Sequence, residues 1–371
     1  MDNDHRAQNI LFIMMLALIA MMFSVMFMMG DELRDRSGIP LFAALVLILS
    51  SFVSIFFHIF VHEFGHALFG KLSGYTLFGI SVAGVWIFRT ETGRKVRFFP
   101  IKGAGGATLS VPSGGYKDDT PYAMMIMGGI TMNILATAAF VAIAVVNVSP
   151  IVTFFAWIAA IFGVYFAVSN LIPMRAGFAV NDGALLRLFR KDAATKHCMH
   201  FMQMDSFALI SGVENRTPVP ADLPYGNPIA DIIRITLADR HIAQNRSDEA
   251  ELILKELTDN IGNGISRNLA NMRLLFIYTM NGADKGKIDA VYDEKMKKFV
   301  TSFSHMDLCA ILFLIAYEKR FSTGNIKTNG LVKRFNKIVK KVKIDTSYER
   351  SIMMSLLSDA PEQRSDMNED K

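Results

Sequence analysis

Cysteine is nearly absent from this chain: 371 residues include only Cys198 and Cys309, both in the polar second half. Two widely separated cysteines provide no disulfide framework, so the second half is predicted to lie in a reducing compartment. The net charge is only +5, and no nucleic-acid-binding motif accompanies it. We therefore interpret the basic excess as a preference for a membrane surface and expect no nucleic-acid partner.

The N-terminus also lacks the features of a cleaved signal peptide. Its apolar run is too long for one, and Asp2 and Asp4 share the beginning of the chain with Arg6. The sequence predicts a retained membrane anchor followed by an outer loop, together residues 1–40.

Long apolar runs fill much of the first half, and 51% of all residues are hydrophobic. Four runs are long enough to cross about 30 Å of hydrocarbon. They are Ile10–Met29, Leu41–Phe69, Tyr122–Val148 and Ile151–Ile172. The predicted fold class is therefore mainly α, a polytopic membrane protein with about four transmembrane helices.

The distribution of basic residues predicts the orientation of these spans. Lysine and arginine outnumber acidic residues between the second and third spans, and they are frequent in the sequence after Arg175. Because cytoplasmic loops carry such an excess, we expect both termini in the cytosol. The composition, rich in methionine and isoleucine, suggests a bacterial plasma membrane. A helix that enters the membrane near Leu41 reaches His62 after roughly 32 Å, close to the cytosolic edge.

A β-rich insertion at about 80–112 interrupts the helical pattern. Val82–Phe88 and Val96–Phe99 are rich in β-forming residues, and a turn signal at Thr90–Gly93 separates them. These features predict a membrane-associated β-hairpin. The glycines that follow, from Gly103 to Gly115, are expected to form a flexible loop.

The second half is predicted to be soluble and helical. A linker region, 187–228, with four prolines in Thr217–Pro228, leads to a cytosolic helical domain, 229–357, and a disordered tail, 358–371. Residues 229–245 and 247–260 are predicted to form a helix pair, and 287–303 a single later helix. The spacing of small and apolar residues in the pair is compatible with either a tetratricopeptide-like repeat or a general helical bundle.

His62-Glu63-Phe64-Gly65-His66 is an HExxH motif inside the second apolar run. Two histidines four residues apart lie on one face of a helix, where both can bind Zn²⁺, and the intervening glutamate can activate a water. Ionisable groups at membrane depth are costly and usually functional. The motif therefore predicts zinc-dependent hydrolysis of peptide bonds within or beside a bilayer.

A catalytic zinc site needs a third protein ligand. His58 lies on the same helical face, but it is eight residues from His66, about 12 Å along the axis, which is too far for one ion. It is expected instead to be a hydrogen-bonded polar group or a residue that supports a metal ligand. Asp182 is the better candidate, because the helix break at Pro173 can return this carboxylate toward an interior site.

Three separated motifs together resemble the site-2 protease family of intramembrane zinc metalloproteases. The HExxH motif is the first, and the second is Gly129-Ile130-Thr131-Met132-Asn133 in the third span. The third is Asn170-Leu171-Ile172-Pro173 followed by Asp182-Gly183, with a longer gap after the proline than the family usually has.

The resemblance implies a role for each matching residue. His62, His66 and Asp182 would bind Zn²⁺, and Glu63 would be the catalytic general base. Asn133 and Asn170 would contact an extended substrate or the developing oxyanion, although hydrogen bonding between helices also explains such residues. The implied partners are the lipid bilayer and a membrane-anchored protein or peptide substrate, which an edge of the hairpin could hold by strand addition.

Two other functions are alternatives to proteolysis. A zinc transporter would place ionisable residues on several spans, whereas this chain concentrates them on one helix. A catalytically silent zinc-binding scaffold, acting through the cytosolic helical domain, would not need Glu63 beside the metal. That domain is also where a regulatory protein would bind.

Overall fold

The structure, a computed structural model, describes most of the chain. The described residues are 2–39, 41–90, 93–98, 105–115, 120–176, 179–211, 215–261, 264–305, 307–321, 326–341 and 352–353. The chain forms two compact units, Met1–Asp222 and Leu223–Lys371. Gly103 and the predicted disordered tail, 358–371, lie outside the described residues.

The first unit is mainly helical and contains a small antiparallel sheet. Its helices are α1 (Asp2–Ser37), α2 (Phe42–Leu72), α3 (Tyr122–Val146), α4 (Pro150–Leu171), α5 (Asp182–Lys191) and α6 (Ala194–Ser211). Its strands are β1 (Tyr75–Val82), β2 (Val85–Thr90), β3 (Gly93–Phe98), β4 (Gly106–Pro112), β5 (Arg175–Ala176) and β6 (Ala179–Val180).

Four of these helices are long and apolar enough to cross a membrane, which confirms that part of the predicted fold class. They are α1 from Asn9, α2, α3 and α4. The most enclosed of the four is α4, which packs against the other three. Phe154, Ile158 and Phe162 of α4 form an apolar cluster with Leu33 of α1 and Ala43 of α2.

The first helix extends further than its apolar run predicts. The sequence placed 30–40 in a loop, but α1 continues to Ser37. Asp31 pairs with Arg34 at 3.1 Å and Glu32 with Arg36 at 3.0 Å. Pairs three and four residues apart lie on one helical face, so these charged residues support two additional turns of helix.

The β-rich insertion is a four-stranded antiparallel sheet in the order β3-β2-β1-β4. The predicted hairpin is present as β2 and β3, with Thr90 opposite Gly93. The glycine-rich segment was expected to be a loop, and this was wrong for Gly106–Pro112, which is β4. Its β-branched residues pair with β1, and such long-range pairing outweighs the weak strand propensity of glycine.

The second unit is helical throughout its described elements. They are α7 (Pro228–Ala243), α8 (Ser247–Asn260), α9 (Ile265–Met280), α10 (Lys285–Asp289), α11 (Glu294–Phe303), α12 (Leu308–Phe321) and α13 (Ile326–Lys341). The first two match the predicted helix pair. The single helix predicted at 287–303 is instead two helices, because Asp293 caps α11 by accepting a hydrogen bond from the N–H of Met296.

Candidate metal centre

The two histidines of the HExxH motif lie side by side on α2. Their ring centroids are 4.6 Å apart, and their Nε2 atoms are separated by 3.1 Å. The N–H at Nδ1 of His66 points to the carbonyl oxygen of Met125 at 3.0 Å, so Nε2 is the nitrogen of His66 that remains for an ion. The two Nε2 atoms therefore converge on one point, as they would around an ion.

Asp182 completes a group of three. Its Oδ2 lies 3.2 Å from Nε2 of His62 and 3.4 Å from Nε2 of His66. The three side chains are only 10%, 13% and 15% exposed for His62, His66 and Asp182 respectively. One ligand atom from each residue lies within 4.8 Å of the other two, so the group could hold a metal ion.

The Asp182 carboxylate supplies a further reason to place a cation here. Its Oδ2 is buried and has no hydrogen bond of normal geometry. Burial raises the pKa of this carboxyl, but the neighbouring imidazoles lower it more, to about 2, so Asp182 is ionised at neutral pH. A buried anionic oxygen without a donor is stabilised by a metal, and a two-nitrogen, one-oxygen set is typical of catalytic zinc sites. The three residues therefore fit a metal ion.

The approach of α3 to this site depends on glycine. A Cβ on Gly129 would lie 2.6 Å from both Cε1 of His62 and Nε2 of His66. A Cβ on Gly65 would lie 2.3 Å from the carbonyl oxygen of Gly128. Gly65 of the HExxH motif and Gly129 of the third-span motif thus permit the close contact between α2 and α3 beside the histidines.

The longer gap after Pro173 forms a short hairpin, β5 and β6, in which Arg175 pairs with Val180. This hairpin returns the chain to the end of α4, where α5 begins at Asp182. A Cβ on Gly183 would lie 2.2 Å from the carbonyl oxygen of Leu171. Only glycine at position 183 therefore lets α5 begin this close to the end of α4.

Asn181 was not identified from the sequence, yet it fastens this connection. Its Nδ2 donates to the carbonyl oxygens of Ser169 and Ile172, each at 2.7 Å. Its Oδ1 accepts from the N–H of Met174 at 2.9 Å and from the N–H of Ala184 at 3.0 Å. One amide thus holds the end of α4, the hairpin and the first turn of α5, and thereby places Asp182.

We expect Asn181→Leu to reduce the metal content of the purified protein and to destabilise it by about 2 kcal/mol or more, because four partly buried backbone groups lose a hydrogen-bond partner. Atomic absorption and thermal unfolding measure the two effects. Asn181→Asp keeps both acceptor contacts but turns an oxygen, which cannot donate, toward the carbonyl oxygens of Ser169 and Ile172, so it should lose stability as well. Full metal content in Asn181→Leu would contradict this role.

Glu63 lies beside the three ligands and is held by the sheet. Its Oε2 accepts a hydrogen bond from Oγ1 of Thr108 at 2.8 Å, and the same hydroxyl lies 2.9 Å from the Glu63 carbonyl oxygen. A Cβ on Gly106 would lie 2.6 Å from Cγ of Glu63, so β4 passes directly over this side chain. Thr108 has no local sequence signal, since only strand pairing brings it here.

One cavity of about 480 Å³ joins these parts. His62, Glu63, His66 and Asp182 all line it, together with 105–108 and Asn170. Nδ2 of Asn170 donates to the carbonyl oxygen of Phe166 at 2.9 Å. Asn133 is different, because it is fully buried behind His62 and lies between that residue and His58.

Comparisons with protein-family models, with curated proteins and with solved structures found no match to this chain. The function is therefore inferred from the geometry of the site and from its position among apolar helices.

Proposed function

We propose that this protein is an intramembrane zinc metalloprotease of the site-2 protease type. The observation that carries the proposal is the convergence of His62, His66 and Asp182 with Glu63 in one cavity of about 480 Å³. Two of the ligands and the glutamate belong to α2, one of the four helices able to cross a membrane. Buried ionisable groups on such a helix are energetically costly, and for that reason they usually serve a function.

The residues have separate roles in the proposed reaction. Zinc, when bound by His62, His66 and Asp182, supplies a Lewis acid and lowers the pKa of water toward 7. Glu63 takes the proton of the attacking water and later gives it to the leaving amine. Because Thr108 occupies Oε2 of Glu63, Oε1 is the oxygen that accepts the proton. Asn170, on the cavity wall, would hydrogen-bond the extended substrate.

The proposed substrate is a peptide bond within or next to a transmembrane segment of a membrane-anchored protein. A helical substrate must unwind before hydrolysis, because backbone hydrogen bonds shield its peptide groups. Strand addition would hold the unwound segment. The edge strand that borders the cavity is β4, and among the described residues it has a strand partner on only one side, β1. We therefore assign this contact to β4 and not to the hairpin of β2 and β3.

Single proline substitutions from Ala107 to Leu109 test the strand contact, and Thr108→Val, which keeps the backbone N–H, is the control for loss of the hydroxyl that holds Glu63. Proline removes one backbone donor, so substitutions at N–H groups that face away from β1 should abolish cleavage and leave metal content unchanged. Metal analysis and a cleavage assay are measured on the same preparations. Normal cleavage by all of these variants would exclude strand addition at β4.

The proposed function is tested in cells that make either the native protein or Glu63→Gln, with Glu294→Gln as a matched surface control. N-terminal proteomics of membrane proteins should find fragments that end within predicted spans, and these should disappear only with Glu63→Gln. The fragments would also identify the substrate. An identical fragment pattern with folded, zinc-loaded Glu63→Gln would favour the scaffold function.

A further inference from the structure

His58 is an ionisable residue for which the proposed reaction has no use. It precedes His62 by one turn of α2 and is fully buried. Its Nε2 lies 2.9 Å from the carbonyl oxygen of Ala159 in α4. Its Nδ1 lies 3.1 Å from Oδ1 of Asn133, and Nδ2 of Asn133 lies 3.2 Å from Nδ1 of His62. Asn133 therefore connects the two imidazoles.

The Ala159 carbonyl determines which nitrogen of His58 carries the proton. A carbonyl oxygen only accepts hydrogen bonds, so Nε2 of His58 donates. A charged imidazolium would be costly at a fully buried position among apolar helices, so His58 is neutral. A neutral imidazole has one N–H, and Nδ1 of His58 must therefore accept.

This requirement fixes the orientation of the Asn133 amide. The group that faces His58 must be the NH₂ group, because only that end of the amide can donate. The structure has the amide oxygen facing His58 and the nitrogen facing His62, but the two exchange places by a half-turn of the amide, and their partners assign the reversed orientation. The amide oxygen then faces Nδ1 of His62 and accepts a hydrogen bond from it. Consequently His62 carries its proton on Nδ1.

That tautomer is the one a metal ligand needs. With the proton on Nδ1, the lone pair at Nε2 of His62 points toward Oδ2 of Asp182, 3.2 Å away. The opposite amide orientation would place the proton on Nε2 and block the ligand position. His66 does not depend on this connection, since its Nδ1 donates to the Met125 carbonyl.

We propose that His58 is a positioning residue that, through the Asn133 amide, holds His62 in the Nδ1–H tautomer required for metal binding. The inference rests on the metal site of the proposed function. It replaces the substrate contact that the sequence suggested for Asn133. The orientation of His58 is itself restricted, because α4 approaches so closely that a Cβ on Gly163 would lie 2.6 Å from Cε1 of His58.

The test measures zinc affinity of the full-length protein in detergent by competition with a chelator. The Glu63→Gln background keeps the measurement independent of proteolysis. His58→Phe and Asn133→Leu should each weaken zinc binding by about 10- to 100-fold, the range for residues that orient a ligand. The double variant should lose no more than the stronger single variant, because both act through one connection.

Two further variants separate positioning from general structural support. His58→Gln offers both a donor and an acceptor and should retain most of the affinity. Ser54→Ala removes another fully buried polar group of α2, one turn earlier, and should not change zinc affinity. NMR of ¹⁵N-histidine-labelled protein should show one nitrogen-protonated form for His62 in the parent and a mixture of both tautomers in His58→Phe.

Three outcomes would overturn the inference. They are unchanged zinc affinity in His58→Phe, additive losses in the double variant, and lowered thermal stability without lowered affinity. Asp182→Ala distinguishes this failure from that of the metal site. If Asp182→Ala binds zinc as tightly as the parent, the proposed site itself is wrong.

Discussion

Glu63→Gln is expected to reduce peptide-bond cleavage by about 10²- to 10⁴-fold, the usual contribution of a general base, while zinc remains bound. Glutamine has nearly the same size and can still accept the hydrogen bond from Thr108 that holds the side chain under β4. It cannot take a proton from water. The loss should therefore appear in the chemical step and not in folding or metal loading.

The measurement uses purified native and Glu63→Gln proteins with a substrate identified by proteomics. Cleavage rates are compared at equal zinc content, and thermal unfolding checks the fold. Glu294→Gln is the control because Glu294 is an exposed surface residue. Cleavage by Glu63→Gln at a rate within a few-fold of the native rate would remove Glu63 from the reaction.

Asp182→Ala is expected to weaken zinc binding by about 100-fold or more and to abolish cleavage. Structural zinc sites with four ligands bind with about 10–16 kcal/mol, so the loss of one ligand costs about 3 kcal/mol or more. Asp182 is the only one of the three ligands that α2 does not provide, and its Oδ2 contacts both histidines. Without it, two imidazoles remain, which is one ligand short of a catalytic site.

Metal analysis after dialysis and chelator competition measure this effect. Asp35→Ala, which removes an exposed carboxylate from α1, should leave the affinity unchanged. If Asp182→Ala kept native zinc affinity, the third ligand would have to be another residue. The same experiment determines which metal the native protein carries, since this donor set also suits other divalent transition metals.

Local patterns predicted much of the framework. The four spans were found because hydropathy and bilayer thickness constrain each helix separately. The hairpin of β2 and β3 was found because its turn and β-forming residues are adjacent in the chain. The predicted end of the first helix was wrong, because charged pairs extend α1 beyond the apolar run. The single helix predicted at 287–303 was also wrong, because an aspartate cap begins α11 as a separate helix.

The sequence by itself determined the apolar spans, the His62–His66 pair and the glutamate between them, since all of these depend on spacing within one helix. Only the tertiary structure decided how Asp182 reaches the histidines, that Thr108 holds Glu63, and that Asn133 lies between two imidazoles. The partners in each of these contacts are more than 40 residues apart in the chain. Their meeting depends on close contacts at glycines and on strand pairing, and neither has a local signature that fixes its partner.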